Sequence, residues 1–108
     1  MEIDVKLLAR QFKALSNEYR YQMLLWLKSP QQHFAAHAHC DVVHDFEGGV
    51  CVGLVAEKAG LAQSVVSGYL NTLKKAGLLE SRRIGKWTYY RYHRAGVEAL
   101  LQQLREQI

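Results

Sequence analysis

The sequence predicts a mainly α-helical protein with a small β-hairpin, and three observations support that fold class. Apolar residues recur at helical spacing over most of the chain. Two short helical patterns, residues 52–59 and 63–75, meet at Gly60. After residue 79 the period changes to two, through residues 79–84 and 87–92, with Gly85 and Lys86 between them as a tight turn.

The first two helices are predicted from their apolar spacing and from the residues that flank them. The first spans residues 3–15, with apolar positions Ile3, Leu7, Leu8, Phe12 and Leu15. Ser16 or Asn17 can cap the second helix, which Pro30 closes. Its predicted buried stripe is Tyr19, Met23, Leu24 and Leu27.

Residues 29–49 lose the helical period and form an insertion that is longer than the usual connection between packed helices. The segment holds four of the five histidines and Cys40. We interpret it as a sensor loop, with a short helix expected across residues 34–43.

The helices at 52–59 and 63–75 form a helix-turn-helix. Gly60 suits the left-handed position after the first of them, and Val66, Leu70 and Leu73 place one apolar stripe of the second helix inward. Its outward face is polar but uncharged, which favours the reading of base edges in a major groove, although an ordinary surface helix is the alternative. The candidate DNA-reading residues are Gln63, Ser64, Ser67, Gly68, Tyr69 and Asn71.

The hairpin that follows is interpreted as a wing, so the predicted architecture is a winged helix-turn-helix. Arg82, Arg83 and Lys86 lie at its tip and flanks, where cations can meet phosphates. A last helix, residues 95–108, closes the chain. With the first helix it offers an apolar surface for a homodimer, unless that surface is buried within the protomer. The candidate interface residues are Leu7, Leu8, Leu100, Leu101 and Leu104.

Length and charge indicate the class of partner. The 108 residues suit a single domain over residues 1–108, and the net charge is +4. Residues 60–94 hold seven of the 14 basic residues but only Glu80 among the ten acidic ones, which indicates a polyanion such as nucleic acid rather than a membrane. With no membrane-length apolar run and no signal peptide, we expect a cytoplasmic protein. No catalytic motif is found, so an enzyme is not expected.

Three stretches resemble the ArsR/SmtB family of dimeric winged-helix transcriptional repressors. FKALSNEYR is similar to the early helix of that family, AEKAGLAQSVVSGYLNTLKKAGLL to its helix-turn-helix, and RRIGKWTYYRY to its wing. The resemblance covers most of the chain outside residues 29–49. It implies a homodimer that binds double-stranded operator DNA at an inverted repeat and is released by an inducer.

The sequence departs from the family pattern at three places. Ala62 replaces the serine that commonly caps the recognition helix, a loss typically worth about 1 kcal/mol. Cys51 matches the first cysteine of the Cys-Val-Cys motif of metal-sensing members, but Gly53 replaces the second. His93 and Glu98 lack the spacing of the zinc site that other members carry on the last helix, so that site is rejected.

The cysteines and histidines predict a sensing site without identifying its ligand. Cys51 precedes a helix, whose N-terminal dipole favours a thiolate, but it could equally fill a gap in the core. Cys40 lies near His37, His39 and His44, which suits zinc or copper, although these could be exposed loop residues. In a cytoplasmic chain we expect two thiols rather than a structural disulfide. If the two cysteines approach each other, they could bind As(III) or form a reversible disulfide.

Two function classes are therefore compatible with the sequence. The first is a DNA-binding repressor released by a metal ion, a metalloid or thiol oxidation. The second is a winged-helix module for dimerisation or protein docking that does not bind specific DNA. Salt-dependent binding to random duplex DNA discriminates them, because a docking module has few phosphate contacts to lose.

Overall fold

The helices begin and end close to the positions that the sequence predicts. The structure is a computed structural model that describes residues 4–34 and 46–108, with helices α1 (Val5–Leu15), α2 (Glu18–Lys28), α3 (Pro30–His33), α4 (Val52–Ala59), α5 (Gln63–Lys75) and α6 (Arg94–Gln107). The expected short helix across residues 34–43 lies almost entirely outside these ranges. No helix in the two described ranges is both long and apolar enough to cross a membrane.

Side-chain caps begin the first two helices, and a proline begins the third. The Asp4 carboxylate accepts a hydrogen bond from the Leu7 amide, and the Asn17 side chain accepts one from the Arg20 amide, both at 3.0 Å. Asn17 rather than Ser16 therefore caps α2. Pro30 follows α2 as predicted but also begins α3, because the first position of a helix does not use its backbone amide.

Helices α4 and α5 meet at a left-handed glycine. Gly60 has a φ of 69°, and its amide donates to the Ala56 carbonyl at 2.9 Å and to the Glu57 carbonyl at 3.3 Å. The next amide, of Leu61, also donates to the Ala56 carbonyl. This arrangement ends α4 and turns the chain sharply. On α5 the three predicted inward residues are completely buried, which confirms the predicted apolar stripe: Val66, Leu70 and Leu73.

The sheet has three antiparallel strands in the order β1-β3-β2, namely β1 (Val50–Cys51), β2 (Leu79–Ile84) and β3 (Trp87–Tyr92). Strands β2 and β3 form the predicted wing, and Gly85 supplies the turn with a φ of 61°. Strand β1 is not predicted, because two residues are too short to show a period and their partners, Tyr90 and Tyr89, lie far along the chain.

A main core forms between α2, α4, α5 and the sheet, and a smaller cluster lies beside it. The main core contains Met23, Leu27 and Val55, whereas Tyr19 is 48% exposed and is not part of the buried stripe as predicted. The smaller cluster, called here the wing-back cluster, consists of Phe46, Cys51 and Tyr89 with Leu54 and Ile84 against it. It joins the end of the insertion to the wing.

Both terminal helices hold the C-terminal end of α5. On α1, the buried Gln11 side chain donates to the Ala76 carbonyl at 3.0 Å. On α6, Gly96 lies so close to the Gly77 carbonyl that a Cβ atom there would overlap it. The His93 Nδ1 atom lies 2.9 Å from the same carbonyl oxygen. These contacts fix the position of α5 relative to the two ends of the chain.

Candidate nucleic-acid interface

The outward face of α5 is exposed, polar and uncharged. Gln63, Ser64, Ser67 and Gly68 are exposed, and Asn71 is half-buried. No side chain caps the first turn, because Ala62 occupies the N-cap with a φ of −61° and a ψ of 142°. A face of short hydrogen-bonding groups can approach base edges closely and can both donate and accept.

Tyr69 lies on a different side of α5 from these residues. Its ring stacks on Tyr19 of α2 with 6.1 Å between ring centroids, and the Arg20 guanidinium lies 5.6 Å from the Tyr69 ring centroid. Half-buried between α5 and α2, Tyr69 has a packing role that sequence reasoning did not assign to it. Aromatic pairs of this kind contribute about 0.5–1.5 kcal/mol beyond burial of their area.

A cleft of about 300 Å³ brings together three separate parts of the chain. Helix α4 contributes its first residues, α5 contributes three of the predicted reading residues, and the wing contributes two of the predicted phosphate contacts. The residues that line it are Val52, Gly53, Gln63, Ser64, Ser67, Arg83, Lys86, Trp87 and Thr88. Uncharged hydrogen-bonding groups are thus placed next to cations on one surface.

Arg82 faces away from this cleft because neighbouring residues of a strand point to opposite faces of the sheet. Arg83 pairs with Thr88 on the cleft side, whereas Arg82 pairs with Tyr89 on the other side. The Arg82 guanidinium lies 5.0 Å from the centroid of the buried Phe46 ring, and Arg91 lies 4.1 Å from it. The structure therefore separates Arg82 from Arg83 and Lys86, with which the sequence grouped it.

Arg91 also links the wing to the end of the insertion. Its Nε donates to Glu80 at 2.9 Å across the two strands, and its Nη1 donates to the Glu47 carbonyl at 3.4 Å. The two guanidinium groups against the Phe46 ring hold that residue on the back of the wing. These contacts attach the described end of the insertion to the wing.

The aromatic side of the wing adds no charge. Burial raises the pKa of the Tyr90 phenol, and burial is also the main cause that raises the pKa of Tyr92. Both phenols therefore stay neutral at physiological pH, and the charge of the wing comes from its arginines, Lys86 and Glu80.

Cys51 occupies the junction between strand β1, helix α4 and the wing-back cluster. It is 1% exposed, it pairs with Tyr89 in the sheet, and it is the N-cap residue of α4. Cys51 is disulfide-bonded in the structure, whereas the cysteine count favoured a thiol. The oxidation state depends on the ambient reduction potential, which a residue count does not report.

The other predicted sensing residues, Cys40, His37, His39 and His44, lie outside the described residues. Within residues 4–34 and 46–108, no group of three or more His, Cys, Asp or Glu side chains could hold a metal ion. His93, which the sequence analysis rejected as a zinc ligand together with Glu98, has its Nδ1 atom 2.9 Å from the Gly77 carbonyl oxygen.

The predicted dimer residues differ in how much surface they leave for a partner. Leu7 and Leu101 are 39% and 43% exposed, and Leu8 and Leu104 are half-buried, but Leu100 is only 5% exposed within the protomer. Leu100 packs in the main core and is a structural residue of the monomer. On the same helix, the buried Gln103 Oε1 atom lacks a hydrogen-bond partner among the described residues.

Sequence reasoning missed Trp87 and Thr88 on the cleft wall and Phe46 behind the wing. Thr88 could have been found from strand pairing, since it lies opposite Arg83 and faces the same side, whereas Trp87 pairs with Ile84 and strand pairing does not place it in the cleft. Phe46 carried no local signal, because its partners Tyr89 and Arg91 are distant along the chain.

The fold and this surface define a class of protein: a winged helix-turn-helix with an exposed recognition helix beside a basic wing, which is the arrangement of DNA-binding regulators. No protein-family model matches the sequence. The uncharacterized HTH-type transcriptional regulator YbzH of Bacillus subtilis is 44% identical over 97 residues, covering 90% of this chain and 94% of that protein. The arsenic resistance transcriptional regulator ArsR1 of Pseudomonas putida is 43% identical over 47 residues, covering 44% of this chain and 37% of that protein.

A solved structure agrees with these relatives. The homodimeric winged helix-turn-helix DNA-binding domain of Mb0332 from Mycobacterium bovis superposes with a TM-score of 0.63 at 28% identity, covering 95% of this chain and 82% of that one. The chain belongs to the ArsR/SmtB family of winged helix-turn-helix transcriptional regulators. It is a DNA-binding transcriptional regulator.

Proposed function

We propose that this regulator is a homodimeric repressor that binds an inverted-repeat operator through α5 and the wing. The observation that carries the proposal is the shared cleft, where Gln63, Ser64 and Ser67 adjoin Arg83 and Lys86. Base edges would meet the serines and glutamine, while the two cations would meet phosphates on the neighbouring backbone. The cleft thus combines sequence reading with charge neutralisation.

Two copies are needed because one α5 reads only one half-site. The exposed leucines on α1 and α6, Leu7 and Leu101, supply an apolar surface for a two-fold interface. In such a dimer the two α5 helices enter successive major grooves, about 34 Å apart. The homodimeric assembly of the Mycobacterium bovis domain supports this arrangement.

The direct test is a selection on random duplex DNA followed by affinity measurements on the enriched sequence. We expect an inverted repeat whose half-site centres are about one helical turn apart. Folded protein that enriches no inverted repeat would contradict the operator proposal. Weak, salt-independent binding to every duplex would instead favour the docking module.

Release from the operator would follow a chemical change at Cys51. Cys51 is part of the wing-back cluster and is also the N-cap residue of α4, so a bond to its sulfur acts on both the wing and the helix-turn-helix. The second cysteine of the sequence, Cys40, is the proposed partner. With peroxide as oxidant, two thiols give one disulfide and two molecules of water. A thiophilic ion such as As(III), Zn(II) or Cu(I) could bridge the same two sulfurs.

For release, the bridged form, in which the structure holds Cys51, must prefer a conformer that fits the operator less well than the conformer of the reduced form. A preference of about 100-fold, near 2.7 kcal/mol, gives a clear loss of affinity. The Cys51→Ser variant should bind the operator like the reduced wild type but stay bound when effector is added. Cys40→Ser should behave in the same way.

The measurement is operator affinity of wild type and both variants, with and without peroxide, persulfide, arsenite, Zn(II) and Cu(I). The control variant is Ser81→Ala, which alters a half-buried residue of the wing that carries no thiol and should respond to effector as wild type does. A wild type that ignores every effector, or a Cys51→Ser protein that responds as wild type does, would show that Cys51 only packs.

A further inference from the structure

A second basic surface lies across α5 from the wing. A cleft of about 630 Å³ between α1, α2 and α5 is lined by Arg10, Lys13, Ala14, Arg20, Thr72 and Lys75. Four of these six residues are cations and none is acidic. This set, called here the flank patch, is separate from the cleft beside the wing, with which it shares no residue.

The flank patch has no internal charge compensation among the described residues. The salt bridge between residues of the described ranges joins Arg91 and Glu80 on the wing. Arg20 has a structural task, since its Nε and Nη2 donate to the Ala14 and Lys13 carbonyls at 2.7 and 3.0 Å. Arg10, Lys13 and Lys75 are exposed, and their charges face solvent. Such concentration of like charge attracts polyanions to this surface.

The helical period places Lys75 in line with the reading residues. Ser64, Gly68, Asn71 and Lys75 follow one another at spacings of four, three and four residues, which keeps them on one stripe of α5. Eleven residues at 1.5 Å each separate Ser64 from Lys75 by about 16 Å along the helix axis. The major groove is about 12 Å wide, so a helix with Ser64 at the bases brings Lys75 to the groove edge.

We infer that the flank patch binds the DNA phosphate backbone on the side of the recognised major groove opposite the wing. Arg10 and Lys13 of α1, with Lys75 of α5, contact one strand, and Arg83 and Lys86 contact the other. The recognition helix is thereby held from both sides. This inference rests on the proposed operator binding and adds a second set of contacts to it.

The test removes cations from the flank patch and, separately, removes the charge from single phosphates of the DNA. Arg10→Ala with Lys13→Ala removes two exposed cations and keeps Arg20, so the fold is preserved. The slope of log affinity against log salt should fall by about two for each protomer bound. The matched control, Lys28→Ala with Arg105→Ala, removes the same charge from α2 and α6 outside both surfaces and should leave the slope close to that of wild type.

Operator duplexes with a single methylphosphonate then locate the contact. With wild type, neutral phosphates should weaken binding at both edges of each half-site groove. The Arg10→Ala, Lys13→Ala protein should become less sensitive to neutral phosphates at one edge only, and Lys86→Ala at the other. Loss of slope without that edge-specific decrease in sensitivity, or a slope equal to that of the control, overturns the inference while operator binding stands.

Further titrations distinguish failure of operator binding from binding of a small phosphorylated ligand to the flank patch. If wild type binds no inverted repeat, the operator proposal itself fails, and the inference fails with it. Pyrophosphate and ATP are titrated calorimetrically as free phosphorylated ligands. Binding of either that the double variant loses, with operator affinity and slope unchanged, would assign the flank patch to a small ligand and contradict the backbone contact.

Discussion

At the scale of single residues, we predict that one missing side chain on α5 lets DNA approach the helix closely. Gly68 lies in the middle of the outward stripe, and a Cβ atom added there would meet nothing within 4 Å. A glycine inside a helix costs about 1 kcal/mol relative to alanine, so the sequence accepts lower stability at this position. A close approach of base edges to the backbone would explain it.

Gly68→Ala should therefore raise the free energy of unfolding by about 0.5–1 kcal/mol. The added methyl group should weaken operator affinity by roughly tenfold, the loss of about one base contact, without changing the salt slope. Urea unfolding and operator titrations at several salt concentrations measure both effects. A stabilised protein with unaltered affinity and base preference would show that DNA does not approach Gly68.

Residue identities allowed the inward stripe of α5 to be predicted, but not the contacts that Tyr69 and Arg82 make within the protomer. Val66, Leu70 and Leu73 follow from helical spacing alone. Tyr69 and Arg82 were grouped with the DNA contacts by their position along the chain. Their partners, Tyr19 and Phe46, come from other elements, and such non-local contacts leave no periodic signal.

At the scale of elements, the close packing of α6 on the turn after α5 holds the recognition helix in place. Gly96 lies against the Gly77 carbonyl and the His93 ring, at the point where the hairpin passes into α6. Gln11 on α1 supports the preceding carbonyl, that of Ala76. The end of α5 is thus fixed from both ends of the chain.

Gly96→Ala should lower the free energy of unfolding by about 2 kcal/mol, because the new Cβ would overlap the Gly77 carbonyl and force a backbone shift. Gly68→Ala is the matched control: the same substitution within a helix should change stability in the opposite direction. Urea unfolding of the two variants, compared with wild type, gives the change in the free energy of unfolding for each. Equal stabilisation by both alanines would mean that α6 does not pack on this turn.

The bounds of α4, α5 and the wing were predictable because local signals mark them. Gly60 follows the end of α4, and Gly85 lies in the turn between β2 and β3. At Leu79 the spacing of apolar residues changes from a helical period to a period of two. Strand β1 and the wing-back cluster were not predictable. They depend on Phe46 and Cys51 meeting Tyr89, about forty residues later in the chain, and folding alone brings them together.

At the scale of the whole molecule, the proposed dimer depends on exposed leucines that the protomer does not bury. Leu101→Glu should give a folded monomer, because a charge in an apolar interface is costly while the side chain is 43% exposed in the protomer. Operator affinity should fall by about 100-fold or more, since one half-site alone is then bound.

Leu25→Glu is the matched control, with the same substitution at a leucine of α2 that is 37% exposed. Sedimentation equilibrium gives the oligomeric state of both variants, and circular dichroism verifies their helical content. A dimeric Leu101→Glu protein, or a monomeric wild type at micromolar concentration, would contradict the interface on α1 and α6.

The alternation of Arg82 and Arg83 has a consequence for how the wing can change in length. Each residue's parity along β2 decides whether it faces the cleft or Phe46. Deleting one residue between Leu79 and Arg82 would exchange these two arginines and turn every later side chain of the strand to the wrong side. Residues added at Gly85 and Lys86 would leave both faces intact. The wing can therefore become longer at its tip, whereas a single-residue insertion or deletion within its strands exchanges the two faces unless a β-bulge absorbs it.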